Sequence, residues 1–134
     1  MINQKTKNKI RISNVAIQAG FPSPAADFEE NSLDLNELLI KHPAATYFFR
    51  VAGDSMKNAG IFSGDLLIID RSIEARDGHI VVASLDGELT LKRFMLQNNR
   101  VILESANPLY PSIPVSELCD FFIWGVATSA IHSL

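Results

Sequence analysis

Ser55, in Gly53-Asp54-Ser55-Met56, and Lys92, 37 residues further on in Leu89-Thr90-Leu91-Lys92-Arg93-Phe94-Met95-Leu96, are the two residues whose types and surroundings could do chemistry together. A serine hydroxyl is a poor nucleophile until a base takes its proton, and a lysine is a base only where its surroundings keep it neutral. A strand through 89–96 places Thr90, Lys92, Phe94 and Leu96 on one face and Leu91, Arg93 and Met95 on the other. Both faces are largely apolar, and burial disfavours the ammonium form. Bringing a lysine from about 10.4 to near 7 corresponds to roughly 4–5 kcal/mol of differential destabilisation. Arg93 cannot serve instead, because a guanidinium stays protonated. The chemistry would be attack of an activated serine on a carbonyl, with the oxyanion held by unpaired amides of Asp54, Ser55 and their neighbours at the start of a helical turn between Gly53 and Gly60. Two structural readings compete: Ser55 as an ordinary N-cap, and Lys92 snorkelling from a sheet edge.

A serine-histidine pair has less support. His42 lies beside Pro43 at a helix end, His79 follows the Asp77-Gly78 turn and His132 is in the C-terminal tail, all places that suit capping or surface roles. The three histidines have no zinc-ligand spacing, and there is no glycine-rich phosphate loop, so neither a metal nor a cofactor is expected.

The elements that must position these residues are mostly strands. Thr46-Tyr47-Phe48-Phe49-Arg50-Val51, Leu66-Leu67-Ile68-Ile69 and His79-Ile80-Val81-Val82-Ala83-Ser84 are rich in β-branched and aromatic residues, so the fold is expected to be mainly β. Asp86-Gly87 suits a two-residue turn that pairs the 79–85 strand with 88–96, and Asn98-Asn99 turns that strand into 100–103. Phe121-Phe122-Ile123-Trp124-Gly125-Val126-Ala127 is expected to close the sheet or to pack against a partner chain. A short helix is expected from Leu35 to about Lys41, since Asp34 and Glu37 have capping-box spacing and Pro43 blocks continuation. Residues 1–32 are polar, with Gly20-Phe21-Pro22-Ser23-Pro24 and no sustained period, and read as an extended arm preceding a domain over 33–134.

With 134 residues, 47% of them apolar, the chain is one domain's worth and can bury a core without disulfides or metals. Cys119 is the only cysteine, which fits a reducing compartment and makes the cytoplasm the expected location. No apolar run reaches the roughly 18 residues of a membrane span, and the N-terminus lacks the apolar core of a signal peptide. The net charge is −3, which argues against direct DNA binding. Residues 1–19 carry four cationic side chains (Lys5, Lys7, Lys9, Arg11) and no acidic one, so residues 20–134 carry −7. The plain reading of that basic stretch is a solvated tail.

Several motifs in order, Gly20-Phe21-Pro22-Ser23-Pro24-Ala25-Ala26-Asp27, Asp34-Leu35-Asn36, His42-Pro43, Gly53-Asp54-Ser55-Met56, Gly64-Asp65-Leu66-Leu67 and Asp86-Gly87-Glu88, resemble the LexA/UmuD-like self-cleaving serine-lysine peptidases. The resemblance runs from about Ala19 to the C-terminus. It implies Ser55 as nucleophile, Lys92 as general base and Ala19-Gly20 as the scissile bond, on a compact β domain of short strands and hairpins with one or two short helices. UmuD-like members often have cysteine before that glycine, whereas LexA-like repressors are cut at Ala-Gly, so Ala19 is a mild departure. The resemblance further implies stimulation by a RecA filament on single-stranded DNA, a homodimer, and association of the processed form with a Y-family, UmuC-like polymerase subunit in the SOS response. The LexA-like repressors carry an N-terminal helix-turn-helix domain, and 19 residues are too few for one, so sequence-specific DNA binding is not expected. The competing function is a non-catalytic dimeric interaction module that regulates a polymerase or repressor, with Ser55 a cap and Lys92 structural.

Overall fold

A computed structural model describes residues 10–13, 16–21, 30–116 and 119–134. The chain divides into two compact units, residues 1–41 and 42–134.

In the first unit, β1 (Ile10–Ser13) pairs antiparallel with β2 (Glu30–Leu33), from Ile10 opposite Leu33 to Ser13 opposite Glu30. This pairing was not expected from the extended, aperiodic character of residues 1–32. Ile10-Arg11-Ile12-Ser13 alternates over only four residues, Glu30-Asn31-Ser32-Leu33 has three polar positions and no alternation, and the two lie about 20 residues apart, so neither announces a strand locally. Ala19 and Gly20 lie in an exposed bend between them, whereas Pro22, Ser23 and Pro24 fall outside the described residues. The expected helix is present as α1 (Leu35–Leu39), ending two residues before Lys41. Asp34 caps it, its carboxylate accepting from the Asn36 amide at 2.9 Å.

The second unit is built on one antiparallel sheet. Its strands are β3 (Thr46–Arg50), β4 (Leu66–Asp70), β5 (Ile80–Leu85), β6 (Glu88–Gln97), β7 (Arg100–Glu104), β8 (Ile113–Pro114) and β9 (Phe121–Ile131), in the order β3-β4-β9-β5-β6-β7-β8. Both expected hairpin turns form, with positive φ at Asp86 and Gly87 and at Asn98 and Asn99, the backbone that matches strand twist. The last strand joins the sheet, and does so in its interior: β9 lies between β4 and β5 and links them. It shifts register twice, between Ile68 and Ile69 of β4 and between Val82 and Ala83 of β5, which leaves Thr128 and Trp124 as extra residues on β9.

Alternation along the strands feeds two cores. Met56, Ile61, Leu67, Ile69 and Val82 form one, and Val81, Ala83, Phe94, Leu103 and Val126 the other. Burial on both faces is why residues 66–69 of β4 and 80–83 of β5 are unbroken apolar runs. Gly125 permits the close approach of β9 to β4: a Cβ there would lie 2.5 Å from Ile69 Cγ2. Among the described residues no helix is long and apolar enough to cross a membrane.

Candidate active site

The connection from β3 to β4 holds Ser55 in place. Met56 is buried in the first core and anchors the turn, a 3₁₀ turn follows at Lys57–Ala59, and Gly60 closes it in the left-handed conformation with φ 80°. The helical turn lies within the expected span from Gly53 to Gly60 but starts after Ser55, at Lys57. Its N-cap is Met56, and the Ser55 hydroxyl caps nothing. Around the serine, the Gly53 amide donates to Ser63 Oγ at 3.3 Å and the Lys57 amide to Asp54 O at 3.2 Å. The amides of Asp54, Ser55 and Met56 donate to no acceptor among the described residues.

Lys92 comes from β6, opposite Val81 of β5. The sheet brings the two residues together across those 37 positions: Lys92 Nζ lies 3.1 Å from Ser55 Oγ. Lys92 is 7% exposed and, among the described residues, pairs with no carboxylate. Burial without a counter-charge pushes its pKa down. Once the lysine is neutral its lone pair can accept the serine proton, reversing the direction of that hydrogen bond.

A cleft of about 270 Å³ opens beside Ser55, with Phe49, Val51, Leu67, Val82 and Leu91 as apolar walls. Arg50, Ser55 and Thr90 add polar groups to the lining, so the cleft offers both apolar contact and hydrogen bonding, with the Ser55 hydroxyl at its wall.

The histidines stand apart from this pair. His42 Nδ1 is 2.6 Å from Asp70 Oδ2, His132 Nδ1 is 2.7 Å from Asp65 Oδ1, and His79 Nδ1 accepts from the Arg76 amide at 3.0 Å. The first two do more than the expected surface roles, because their carboxylate partners are buried at the ends of β4. Two further polar residues beside the serine had not been singled out in the sequence. Asn107 Nδ2 donates to Asp54 O at 2.9 Å, and Tyr110 OH donates to Asp54 Oδ1 at 2.6 Å. The Asn107-Pro108 dipeptide, a turn signal, was the one clue to them.

An antiparallel β fold that sets a serine hydroxyl 3.1 Å from a buried lysine, beside a cleft of mixed polar and apolar lining, suits a hydrolase. The chain belongs to the peptidase S24-like family, whose model matches residues 11–128, and is thereby placed among the serine peptidases. It is 50% identical over 114 residues to protein SamA of Salmonella typhimurium, covering 85% of this chain and 79% of that one. It is 47% identical over 117 residues to protein ImpA of Escherichia coli, covering 86% and 78%. With the LexA repressor of Ectopseudomonas mendocina it shares 44% over 117 residues, covering 87% of this chain and 57% of the repressor. These relatives agree with the resemblance read from the motifs.

Proposed function

We propose that this chain is a self-cleaving serine peptidase of the SOS response that cuts its own chain type between Ala19 and Gly20. Neutral Lys92 takes the proton from Ser55 Oγ as that oxygen bonds to the Ala19 carbonyl carbon. The resulting oxyanion is met by the free amides around Ser55. Collapse breaks the Ala19-Gly20 bond, and the lysine returns its proton to the departing Gly20 nitrogen. Water, deprotonated by the same lysine, then releases residues 1–19 from Ser55. The single observation that carries this reading is the 3.1 Å contact between Ser55 Oγ and a buried lysine that has no acidic partner among the described residues.

In this reading residues 1–32 present the substrate and residues 33–134 carry the dyad. Tethering supplies a high effective concentration, so the cleft needs little binding surface of its own. A RecA filament on single-stranded DNA promotes docking of the arm. The processed cytoplasmic homodimer then serves a Y-family, UmuC-like polymerase in error-prone synthesis past lesions. Incubation with RecA, ATP and single-stranded DNA, followed by mass measurement, tests this: wild-type protein loses residues 1–19 and Ser55→Ala does not. An unchanged wild-type mass both there and at alkaline pH would favour the non-catalytic module.

A further inference from the structure

Asp54, the residue before Ser55, is gripped from the segment that follows β7. The Asn107 side-chain amide holds its carbonyl and the Tyr110 hydroxyl holds its carboxylate. Asn107 is 6% exposed and is itself fixed, its Oδ1 accepting from the Leu109 amide at 3.1 Å and its backbone carbonyl from the Tyr110 amide at 3.0 Å. The same segment grips the far side of the nucleophile turn, where the Asn58 amide donates to Ala106 O at 2.7 Å.

The peptide joining Asp54 to Ser55 is planar and trans, so its N–H points opposite to its C=O. With the carbonyl drawn toward Asn107 and the Lys57 amide, the Ser55 N–H is turned to the other side, where no described residue accepts from it. We propose that Asn107 and Tyr110 are positioning residues of the peptidase, locking the Asp54–Ser55 peptide so that the Ser55 amide faces the developing oxyanion while Ser55 Oγ stays within reach of Lys92. This rests on the reading of Ser55 and Lys92 as the working pair. The hydrogen bond to the Asp54 carboxylate, together with that negative charge, also pushes the Tyr110 pKa up. The hydroxyl therefore keeps its proton further into the alkaline range in which Lys92 becomes neutral.

The test is the rate of self-processing from pH 6 to 10 without RecA, followed by mass, for Asn107→Ala, Tyr110→Phe and Ser55→Ala. Asn107→Ala is expected to lower the alkaline plateau about 100-fold, the size of a lost or misdirected oxyanion donor. Tyr110→Phe should lower it about tenfold, as for one hydrogen bond to a charged acceptor. Both replacements are neutral, so the pH midpoint set by Lys92 should not move. A wild-type plateau in either variant overturns the proposal, as does an unchanged plateau with a displaced midpoint. If Asn107→Ala does not fold, Tyr110→Phe decides, since it keeps the ring and removes only the hydroxyl. Processing by Ser55→Ala at the wild-type rate would instead sink the proposed function itself. A dead Ser55→Ala beside fully active Asn107→Ala and Tyr110→Phe would remove the positioning role alone.

Discussion

Lys92 is costly where it sits, and that cost has a measurable sign. Its folded pKa lies below its unfolded one, so between the two the unfolded chain binds more protons and stability rises with pH. At neutral pH the buried lysine therefore opposes folding. Lys92→Met, which keeps an apolar stem of similar length and loses the charge, should raise the thermal midpoint at pH 7 while abolishing processing. The gain should shrink as pH approaches the unfolded lysine value of about 10.4, and thermal melts at pH 7 and pH 10 check it. An equal gain at both pH values would mean the lysine is not held neutral by burial. The surroundings of Ser55 and Lys92 singled them out but left a cap and a structural lysine as equal readings; the ordered motifs around them favoured the pairing, and the sheet sets the two 3.1 Å apart. The grip of Asn107 and Tyr110 on Asp54 was not legible, because those residues become neighbours of the serine only when the segment after β7 folds back onto the β3–β4 connection.

At the level of elements, β4 and β9 carry the structure that holds the serine turn. The tight packing at Gly125 gives a direct check: Gly125→Ala forces a Cβ onto Ile69, itself fully buried, and should cost about 1–3 kcal/mol in denaturant unfolding. The ends of β4 are held by Asp65 and Asp70. The hydrogen bond from the Phe62 amide, against the opposing effect of burial and helped by His132, holds Asp65 below the usual carboxylate range. For Asp70 burial pushes upward, but the hydrogen bonds from Ser72 and His42 outweigh it and the pKa is lowered. Groups lowered in the folded state stabilise above their unfolded pKa, about 3.9, and that stability is lost as pH falls through the folded values. Thermal melts should therefore fall steeply below about pH 4, and Asp65→Asn with Asp70→Asn should flatten that acid limb while lowering stability at pH 7. The positions of β3 to β7 and of β9 and both hairpin turns were legible, since β-branched runs and Asp-Gly or Asn-Asn pairs encode them locally, whereas the short, polar β1 and β2 and the two-residue β8 were not. The order of strands was not legible: β9 enters the interior through pairings with β4 and β5 some 60 and 40 residues earlier, which no local pattern states.

For the whole molecule, the charge division gives processing a second signature. Loss of residues 1–19 removes four cationic side chains and takes the net charge from −3 to −7, so the product should elute from an anion exchanger at distinctly higher salt than the parent. Co-elution of parent and shortened chain would mean that the basic stretch does not set the surface charge of the full-length protein. The proposal that Ser55 and Lys92 form a working dyad is tested most directly by the pH dependence of self-processing in the absence of RecA, read by mass. Wild-type protein should lose residues 1–19 at a rate that climbs with pH and levels off above the lowered pKa of Lys92, and Lys92→Ala should keep its full mass throughout. Cleavage by Lys92→Ala at the wild-type rate, or a rate flat from pH 6 to 10, would contradict the lysine's role as the base.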